Sequence, residues 1–220
     1  MAHDDHKKGH GHSHDHHHHD NHHDHHPADH HHHWDQEDYV RSWIARDAGR
    51  RSERGPLVER LIAAAPFPRD AVIEVLDVGG GAGLLTEAVL KAYPRSQAVL
   101  QDFSTPMVEA ARRRLTGFGP RVRYVISDLG DPAWSRTASG PFDLAVSGIA
   151  IHNLHEMAAI ARCYEAVRGL LKPGGAFLDY DHFDRVGGVP LHQHMLKVAG
   201  FAAAEVVWHE HPTAILKASV

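Results

Sequence analysis

The chain has 220 residues, of which 42% are hydrophobic, with a formal net charge of -5 and a single cysteine. This length and apolar content suffice for one domain with a sizeable core. No overall basic field invites nucleic acid, Cys163 alone excludes an intrachain disulfide, and no apolar run approaches the roughly 18–20 residues of a membrane span. We therefore expect a cytoplasmic protein that binds neither nucleic acid nor a membrane.

Residues 1–33 form a leader that holds 17 of the 24 histidines of the chain. Aspartates separate these histidines and almost no apolar residue accompanies them, so the segment cannot offset its ordering entropy and we expect it to be disordered. Dense imidazoles and carboxylates suit Ni, Zn, Co or Cu, which predicts a tail that binds divalent metal ions. A solvated, pH-responsive tail without a dedicated metal is the open alternative.

Two helices are predicted in residues 34–69. Apolar and aromatic residues recur there at helical spacing in two stripes, separated by a break near Gly49 or Gly55-Pro56. Core packing explains the second stripe. The first carries more aromatic residues, Trp34, Tyr39 and Trp43, than packing alone requires, so we interpret these helices as a possible lid over a ligand.

The rest of the chain, residues 70–220, is organised around one strand and the glycines after it. An apolar run ends at Asp77-Val78, glycines follow at positions 79, 81 and 83, and Leu84 opens a helical stretch. This order predicts a buried strand, a tight turn and a helix. Glycines Gly79, Gly81 and Gly83 tolerate strained dihedrals and let a ligand approach closely. Dinucleotide-binding enzymes use a similar turn, so the turn alone does not identify the cofactor.

Further strands alternate with helices after this turn. The predicted strands end in polar residues, which are Asp102, Asp128, Ser147 and Asp179. Alternation of this kind indicates a parallel sheet with both faces covered by helices, whose ligand binds beyond the carboxyl ends of the strands. Asp102 lies about twenty residues after the glycines, where a doubly wound fold places a carboxylate on ribose hydroxyls.

In this order the sequence resembles the class I S-adenosylmethionine-dependent methyltransferases, chiefly their small-molecule branch, with a histidine-rich extension at the N-terminus. Five blocks carry the resemblance: residues 76–83, 102–107, 127–129, 142–154 and 170–178. Gly80 is one glycine more than the family pattern requires. The resemblance implies an α/β, Rossmann-like sheet of seven strands, mostly parallel with an antiparallel last strand, in a methyltransferase domain over residues 70–220.

The resemblance also implies S-adenosylmethionine as the cofactor and a role for each residue at this edge. Gly79 and Gly81 would hold the methionine and ribose portions, Asp77 would organise the turn or reach the ammonium through water, and Asp102 would accept both ribose hydroxyls. Phe103 and Met107 would pack on the adenine, beside Asp128 and Leu129, while Ser147 ends the fourth strand nearby. A solvated strand end is the alternative for the two acids Asp77 and Asp102, and plain core packing for Met107 and Leu129.

His152, just past the fourth strand, is the candidate catalytic residue. Methyl transfer from a sulfonium needs in-line positioning, and a base only when the nucleophile must lose a proton early. His152 would face the methyl group as that base or as a substrate contact. Capping of the next helix or shaping of the loop is the alternative.

Three more histidines follow at the predicted ligand edge. His182 comes after the fifth strand, and His209 and His211 come at the end of the sixth. Histidines two apart on a strand share one face, a geometry that a metal can use, but a polar hairpin turn before Pro212 is the favoured interpretation of the pair.

These observations predict a methyltransferase that acts on a small-molecule acceptor. The alternative is a metal-handling or metal-sensing protein whose methyltransferase-like domain serves mainly as a ligand-binding scaffold. A nicotinamide-dependent oxidoreductase is disfavoured because Asp77 directly precedes the turn. Methylation of RNA or protein is disfavoured because Arg112-Arg113-Arg114 is more typical of a solvated helix face than of a binding stripe.

Overall fold

A computed structural model of the chain describes residues 33–49 and 51–220, with no description of the side chains of 51–53. The predicted disorder and metal binding of the leader therefore lie outside the described residues, apart from His33. Seven strands form one sheet: β1 (Glu74–Val78), β2 (Gln97–Asp102), β3 (Val122–Ile126), β4 (Phe142–Gly148), β5 (Leu171–Asp181), β6 (Ala203–Glu210) and β7 (Thr213–Ser219).

Helices precede the sheet and connect its strands. They are α1 (Glu37–Gly49), α2 (Arg51–Ala63), α3 (Leu84–Ala92), α4 (Thr105–Arg114), α5 (Trp134–Ala138), α6 (Met157–Leu170) and α7 (Val189–Val198). Short 3-10 turns follow three of the elements, at Thr116–Arg121, Ile151–Leu154 and Phe183–Arg185. None of the described helices is long and apolar enough to cross a membrane.

The strands are arranged in the order β3-β2-β1-β4-β5-β7-β6. Every pairing from β3 to β5 is parallel, and β7 runs antiparallel to both β5 and β6. The predicted seven-stranded, Rossmann-like fold is confirmed. Because the strand order reverses at β1, a crevice opens beyond the carboxyl ends of β1 and β4, where open α/β sheets bind their ligands.

The sheet is buried on both faces, as its apolar strands require. One face packs beneath α6 and α7 and includes Leu76, Phe177 and Tyr164, while the other packs beneath α2, α3 and α4 and includes Val75 and Leu100. Alternate residues of each strand therefore belong to different clusters. This packing on two sides holds the strands rigidly, so the loops at their carboxyl ends start from fixed positions.

The fifth strand begins earlier than its apolar pattern indicates. The apolar run of this strand begins at Ala176, whereas β5 already begins at Leu171. Leu171 pairs with Phe142, and an irregularity separates this pair from the regular register that starts at Leu144 and Ala176. A bulge therefore accommodates the Lys-Pro-Gly-Gly segment within a strand pairing.

Truncation of Phe177 tests the packing beneath α6 and α7. Phe177 is 1% exposed and its ring lies 6.0 Å from that of Tyr164 and 6.2 Å from that of Phe201. We expect Phe177→Ala to lower the free energy of unfolding by about 3–5 kcal/mol. Val207→Ala, at a 38% exposed position on β6, is the matched control and should change it by less than about 0.5 kcal/mol. Equal effects in denaturant titrations would contradict this packing.

Candidate functional site

The turn between β1 and α3 depends on glycine for two separate reasons. Gly79, Gly81 and Gly83 have φ angles of 64°, 50° and 79°, a region that side chains rarely adopt. A Cβ on Gly79 would also lie 2.5 Å from Cβ of Ala150, whereas one on Gly81 would meet nothing closer than Sδ of Met107 at 4.0 Å. The space beside Gly81 is therefore open for a ligand.

Gly80 is required by packing, although the family pattern does not ask for it. A Cβ there would lie 2.7 Å from Cγ of Leu100 and 3.0 Å from Cγ of Asp77. Both neighbours are buried, so neither can move away without cost.

Asp77 ties the turn to the helix after it. Its Oδ2 accepts a hydrogen bond of 2.5 Å from Oγ1 of Thr86, and its Oδ1 is buried with no partner among the described residues. Burial raises the pKa of Asp77 to about 7, against the lowering effect of the Thr86 bonds. One carboxyl oxygen is thus left available next to the glycines.

Asp102 holds the turn from the neighbouring strand. Its Oδ2 accepts from the Gly81 amide at 2.8 Å and its Oδ1 from the Ser104 amide at 2.9 Å. Burial raises the pKa of Asp102, and these amide bonds oppose that change. The Phe103 amide bonds the same carboxylate, and of its roughly four acceptor positions one is left for a ligand.

Gln101 is a site residue that the sequence analysis missed. It is 1% exposed, its Oε1 accepts from the Gly79 amide at 3.0 Å, and its Nε2 donates to the Ser127 carbonyl at 2.5 Å. One side chain therefore joins the glycine turn to the end of β3. A glutamine inside a buried apolar strand was the signal that would have revealed it.

The residues predicted to flank the adenine lie around the ends of β2 and β3. Met107 is buried in α4, whose N-cap Ser104 accepts from the Met107 amide at 3.2 Å, and Phe103 is half-buried. Exposed Asp128 accepts from the Gly130 amide at 2.8 Å, and Leu129 packs partly against the core. Their contacts with adenine stay a prediction.

Ser147 is occupied by a bond between strands. It is 0% exposed and its Oγ donates to the Val78 carbonyl at 3.0 Å, which ties β4 to β1. A contact between Ser147 and a cofactor stays a prediction. The bond that the structure shows fixes the strand that leads to His152.

His152 and Asp181 form a hydrogen-bonded pair at the ends of β4 and β5. Nδ1 of His152 lies 2.5 Å from Oδ1 of Asp181, and the His152 amide donates to Oδ2 of the same carboxylate at 2.9 Å. The His182 amide makes the third hydrogen bond to this carboxylate, donating to Oδ1 at 2.7 Å. Asp181 is 1% exposed, so this carboxylate fixes both the backbone and the ring of His152 from inside the protein.

His182 lies next to this pair as a neutral neighbour. Its ring centroid is 5.3 Å from that of His152, and its Nδ1 is 2.8 Å from Oγ1 of Thr213. Burial lowers the pKa of His182 to about 4, and the positive potential of Arg185 and Arg54 adds to this effect while Asp181 opposes it.

His209 and His211 both contact one carboxylate. Nε2 of His209 and Nδ1 of His211 lie 3.0 Å and 2.9 Å from Oδ2 of Asp184. Within residues 33–49 and 51–220, no group of three or more His, Cys, Asp or Glu side chains is arranged to hold a metal ion. The geometry therefore favours the hairpin interpretation of this pair.

The segment just before α1 reaches the end of β2 through Trp34. The Trp34 carbonyl accepts a 2.5 Å bond from Oγ of Ser104, and the Trp34 ring makes edge contacts with Tyr39 at 5.2 Å and with Trp43 at 5.5 Å. This places an aromatic cluster beside the end of β2, while a lid function for residues 34–69 stays a prediction.

Residues 75–175 match the family model described as a methyltransferase domain. This matched part of the chain, residues 75–175, belongs to the class I S-adenosylmethionine-dependent methyltransferases. The chain is 35% identical over 111 residues to acetylserotonin O-methyltransferase of Mus musculus, covering 47% of this chain and 27% of that protein. It is 30% identical over 151 residues to trans-aconitate 2-methyltransferase of Acidovorax, covering 67% of this chain and 51% of that protein. The matches thus span about half the length of these relatives or less.

Solved structures share the fold of this methyltransferase domain. The structure of PigF with SAH superimposes with a TM-score of 0.67 at 17% identity, over 86% of this chain and 61% of that chain. The cradle in the present structure fits an adenosyl sulfonium: it offers the open side of Gly81, the remaining acceptor position of Asp102 and the unpartnered Oδ1 of Asp77.

Substitution of Gly80 tests the packing of the cradle. We expect Gly80→Ala to weaken binding of S-adenosylhomocysteine at least about tenfold, because the new methyl group would displace Asp77 or Leu100 and a tenfold loss needs only about 1.4 kcal/mol. Gly117→Ala is the matched control, since nothing lies within 4 Å of its added Cβ. Unchanged affinity of the Gly80 variant in calorimetry would contradict the close packing described here.

Proposed function

We propose that this methyltransferase transfers the methyl group of S-adenosylmethionine to an oxygen atom of a small-molecule acceptor, with His152 as the general base. The observation that carries the proposal is the 2.5 Å contact between Nδ1 of His152 and Oδ1 of Asp181, at the carboxyl edge of the sheet. The pair ends β4 and β5, whereas the cofactor cradle ends β1 and β2, so the two groups lie at one edge.

The Asp181 carboxylate determines which nitrogen of His152 is free. An ionised carboxylate only accepts hydrogen bonds, so the proton of the neutral imidazole must be on Nδ1. The lone pair of Nε2 is then available to a substrate. The His152 side chain is 13% exposed, which leaves an edge of the ring accessible while the rest is fixed by packing.

The cofactor would be held by the residues of the cradle. Asp102 would accept from the ribose hydroxyls, the open side of Gly81 would admit the ligand, and Oδ1 of Asp77 would accept from the methionine ammonium directly or through water. When bound, S-adenosylmethionine supplies a methyl group on a positively charged sulfur, which needs no further activation.

His152 would take the proton of the acceptor hydroxyl as its oxygen forms the new bond to carbon. The proton would move to Nε2, and the charge on the resulting imidazolium would be balanced by Asp181. The neighbouring His182 would add no positive charge, because burial keeps its pKa low, at about 4. A positioned base of this kind typically contributes about 10²–10⁴-fold to the rate.

An oxygen acceptor on a small molecule agrees with the names of the relatives. Acetylserotonin O-methyltransferase is one of them, and a structural neighbour with a TM-score of 0.66 is an O-methyltransferase family 2 protein from Planctomyces limnophilus in complex with apigenin. The relatives are named as methyltransferases or synthases, which does not favour the alternative of a ligand-binding scaffold without catalysis. The aromatic cluster of α1 would supply an apolar wall for such an acceptor.

Replacement of His152 tests its role as the base. We expect His152→Gln to lower kcat by about 100-fold or more while affinity for S-adenosylhomocysteine is retained, because Gln keeps a polar side chain but cannot accept the proton. His211→Gln, at a side chain that is 81% exposed, is the control and should keep kcat within about twofold of wild type.

The proposal fails if His152→Gln turns over at the wild-type rate. Release of S-adenosylhomocysteine, followed for a panel of small hydroxylated acceptors, provides the assay. Loss of cofactor affinity together with kcat would instead indicate that His152 shapes the cradle.

We also propose that the histidine-rich leader binds divalent metal ions, on the ground of its 17 histidines. In calorimetric titrations with Ni or Zn, the full chain should bind more ions per molecule than a chain that begins at Trp34. Equal stoichiometry in the two proteins would refute a metal-binding leader. The cytoplasmic location stays a prediction.

A further inference from the structure

A second group of polar side chains lies buried beneath the His152–Asp181 pair. Asp179, Tyr164 and His192 are 0%, 0% and 1% exposed. The Tyr164 hydroxyl lies 2.7 Å from Nδ1 of His192 and 3.4 Å from Oδ2 of Asp179. Nε2 of His192 lies 2.8 Å from the Val186 carbonyl oxygen. These contacts form a continuous chain from β5 through α6 and α7 to the loop before α7.

The Val186 carbonyl, at the end of this series of hydrogen bonds, determines where the protons lie. A carbonyl oxygen only accepts, so Nε2 of His192 donates to Val186, and in a neutral imidazole Nδ1 must then accept. Tyr164 has one hydroxyl proton for two neighbours, and the 2.7 Å contact to His192 is the better place for it than the 3.4 Å contact to Asp179. The Tyr164 oxygen then faces Asp179 as a hydrogen-bond acceptor. It receives a hydrogen bond only when Asp179 carries a proton.

Asp179 and Asp181 compete for one negative charge. They are two residues apart on β5 and so share a face of the sheet. Asp181 accepts from Nδ1 and the amide of His152 and from the amide of His182, whereas Oδ1 of Asp179 has no partner among the described residues. Repulsion between two buried charges on one face of a strand favours ionisation of only one carboxylate, and the one with more donors retains the charge.

We propose that Asp179 is a positioning residue of the reaction: it holds a proton within the chain of Tyr164 and His192, so that Asp181 alone is charged and keeps His152 with Nε2 free. The proposal rests on the proposed function for its catalytic consequence. The protonation of Asp179 itself does not depend on that function.

The remaining charged and titratable groups around β5 agree with this assignment. Besides Asp181, the titratable group that interacts with Asp179 and Tyr164 is Cys163 on α6. His182, after β5, interacts with Asp181 and His152 and with Arg185 and Arg54. The two arginines act on the side of His182. Burial, and after it the charge of Asp181, raises the pKa of Asp179 well above its usual range, and burial lowers the pKa of His192.

Infrared spectroscopy of the full chain tests the protonation directly. A neutral carboxylic acid has a carbonyl stretching band that a carboxylate lacks. At pH 7 we expect such a band from Asp179 beside that of Asp77, whose pKa is about 7. Asp179→Asn should remove the Asp179 band and leave that of Asp77, whereas Asp184→Asn, at a partly exposed side chain, should leave both. A wild-type spectrum without a band that Asp179→Asn removes would overturn the proposal.

Thermal unfolding gives a second readout that needs no activity. Asp179 would be protonated in the folded state and ionised in the unfolded state above about pH 4, so its contribution to stability falls as pH rises through that range up to its folded pKa. The Tm of Asp179→Asn minus that of wild type should therefore increase with pH between 5 and 7, by roughly 3 °C per unit. A difference that is flat or decreases would contradict the assignment.

The catalytic consequence is read from two matched variants. Asp179→Asn keeps a neutral group at every pH, so the change in kcat that ionisation of Asp179 causes at alkaline pH in the wild type should be absent from this variant. Asp181→Asn removes the charge that orients His152 and should lose about 100-fold or more in kcat. Equal losses in the two variants would overturn the positioning role. If the infrared spectra show a protonated Asp179 but neither Asp181→Asn nor His152→Gln lowers kcat, the base mechanism is refuted and the protonation of Asp179 is retained.

Discussion

The hydrogen bond from the Gly81 amide to Oδ2 of Asp102 is the constraint on which the site depends. It fixes the glycine-rich turn after β1 against the neighbouring strand β2. Gln101, also on β2, makes a second such bond by accepting from the Gly79 amide. The turn therefore has its shape before any ligand arrives, and the Asp102 carboxylate is held beside it. A cradle that is rigid in advance spends less of its binding energy on ordering itself.

Methyl transfer requires two groups to meet at one point, and the parallel sheet supplies this by its register. Val78 at the end of β1 pairs with Ser147 of β4, and Ser147 pairs with Asp179 of β5. The segments after these strands emerge side by side, one with the glycines and the others with His152 and Asp181. Under the proposed mechanism, the cofactor half and the proton-transfer half of the site are thus aligned by backbone pairing rather than by long side chains.

The sequence predicts those parts of the site whose physics is local. A strand, three glycines and an acid on the next strand are recognisable because each is a pattern within a few residues, and the alternation of such patterns predicts the fold. The partnership of His152 with Asp181 spans 29 positions and depends on the β4–β5 register, so it could not be read from spacing. The role of Gln101 and the need for glycine at position 80 were missed for the same reason, because their neighbours are set by the pairing of strands. The leader, whose composition is the most unusual in the chain, lies outside the described residues.

The central claim is that the edge beside Gly81 and Asp102 is built for an adenosyl sulfonium and its demethylated product. Calorimetry of the purified chain with S-adenosylhomocysteine and, separately, with a nicotinamide dinucleotide measures this most directly. The structure predicts saturable binding of S-adenosylhomocysteine at one site per chain, weakened by Asp102→Ala, with no heat from the dinucleotide. Binding of the dinucleotide in its place, with none of the adenosyl ligand, would contradict the account.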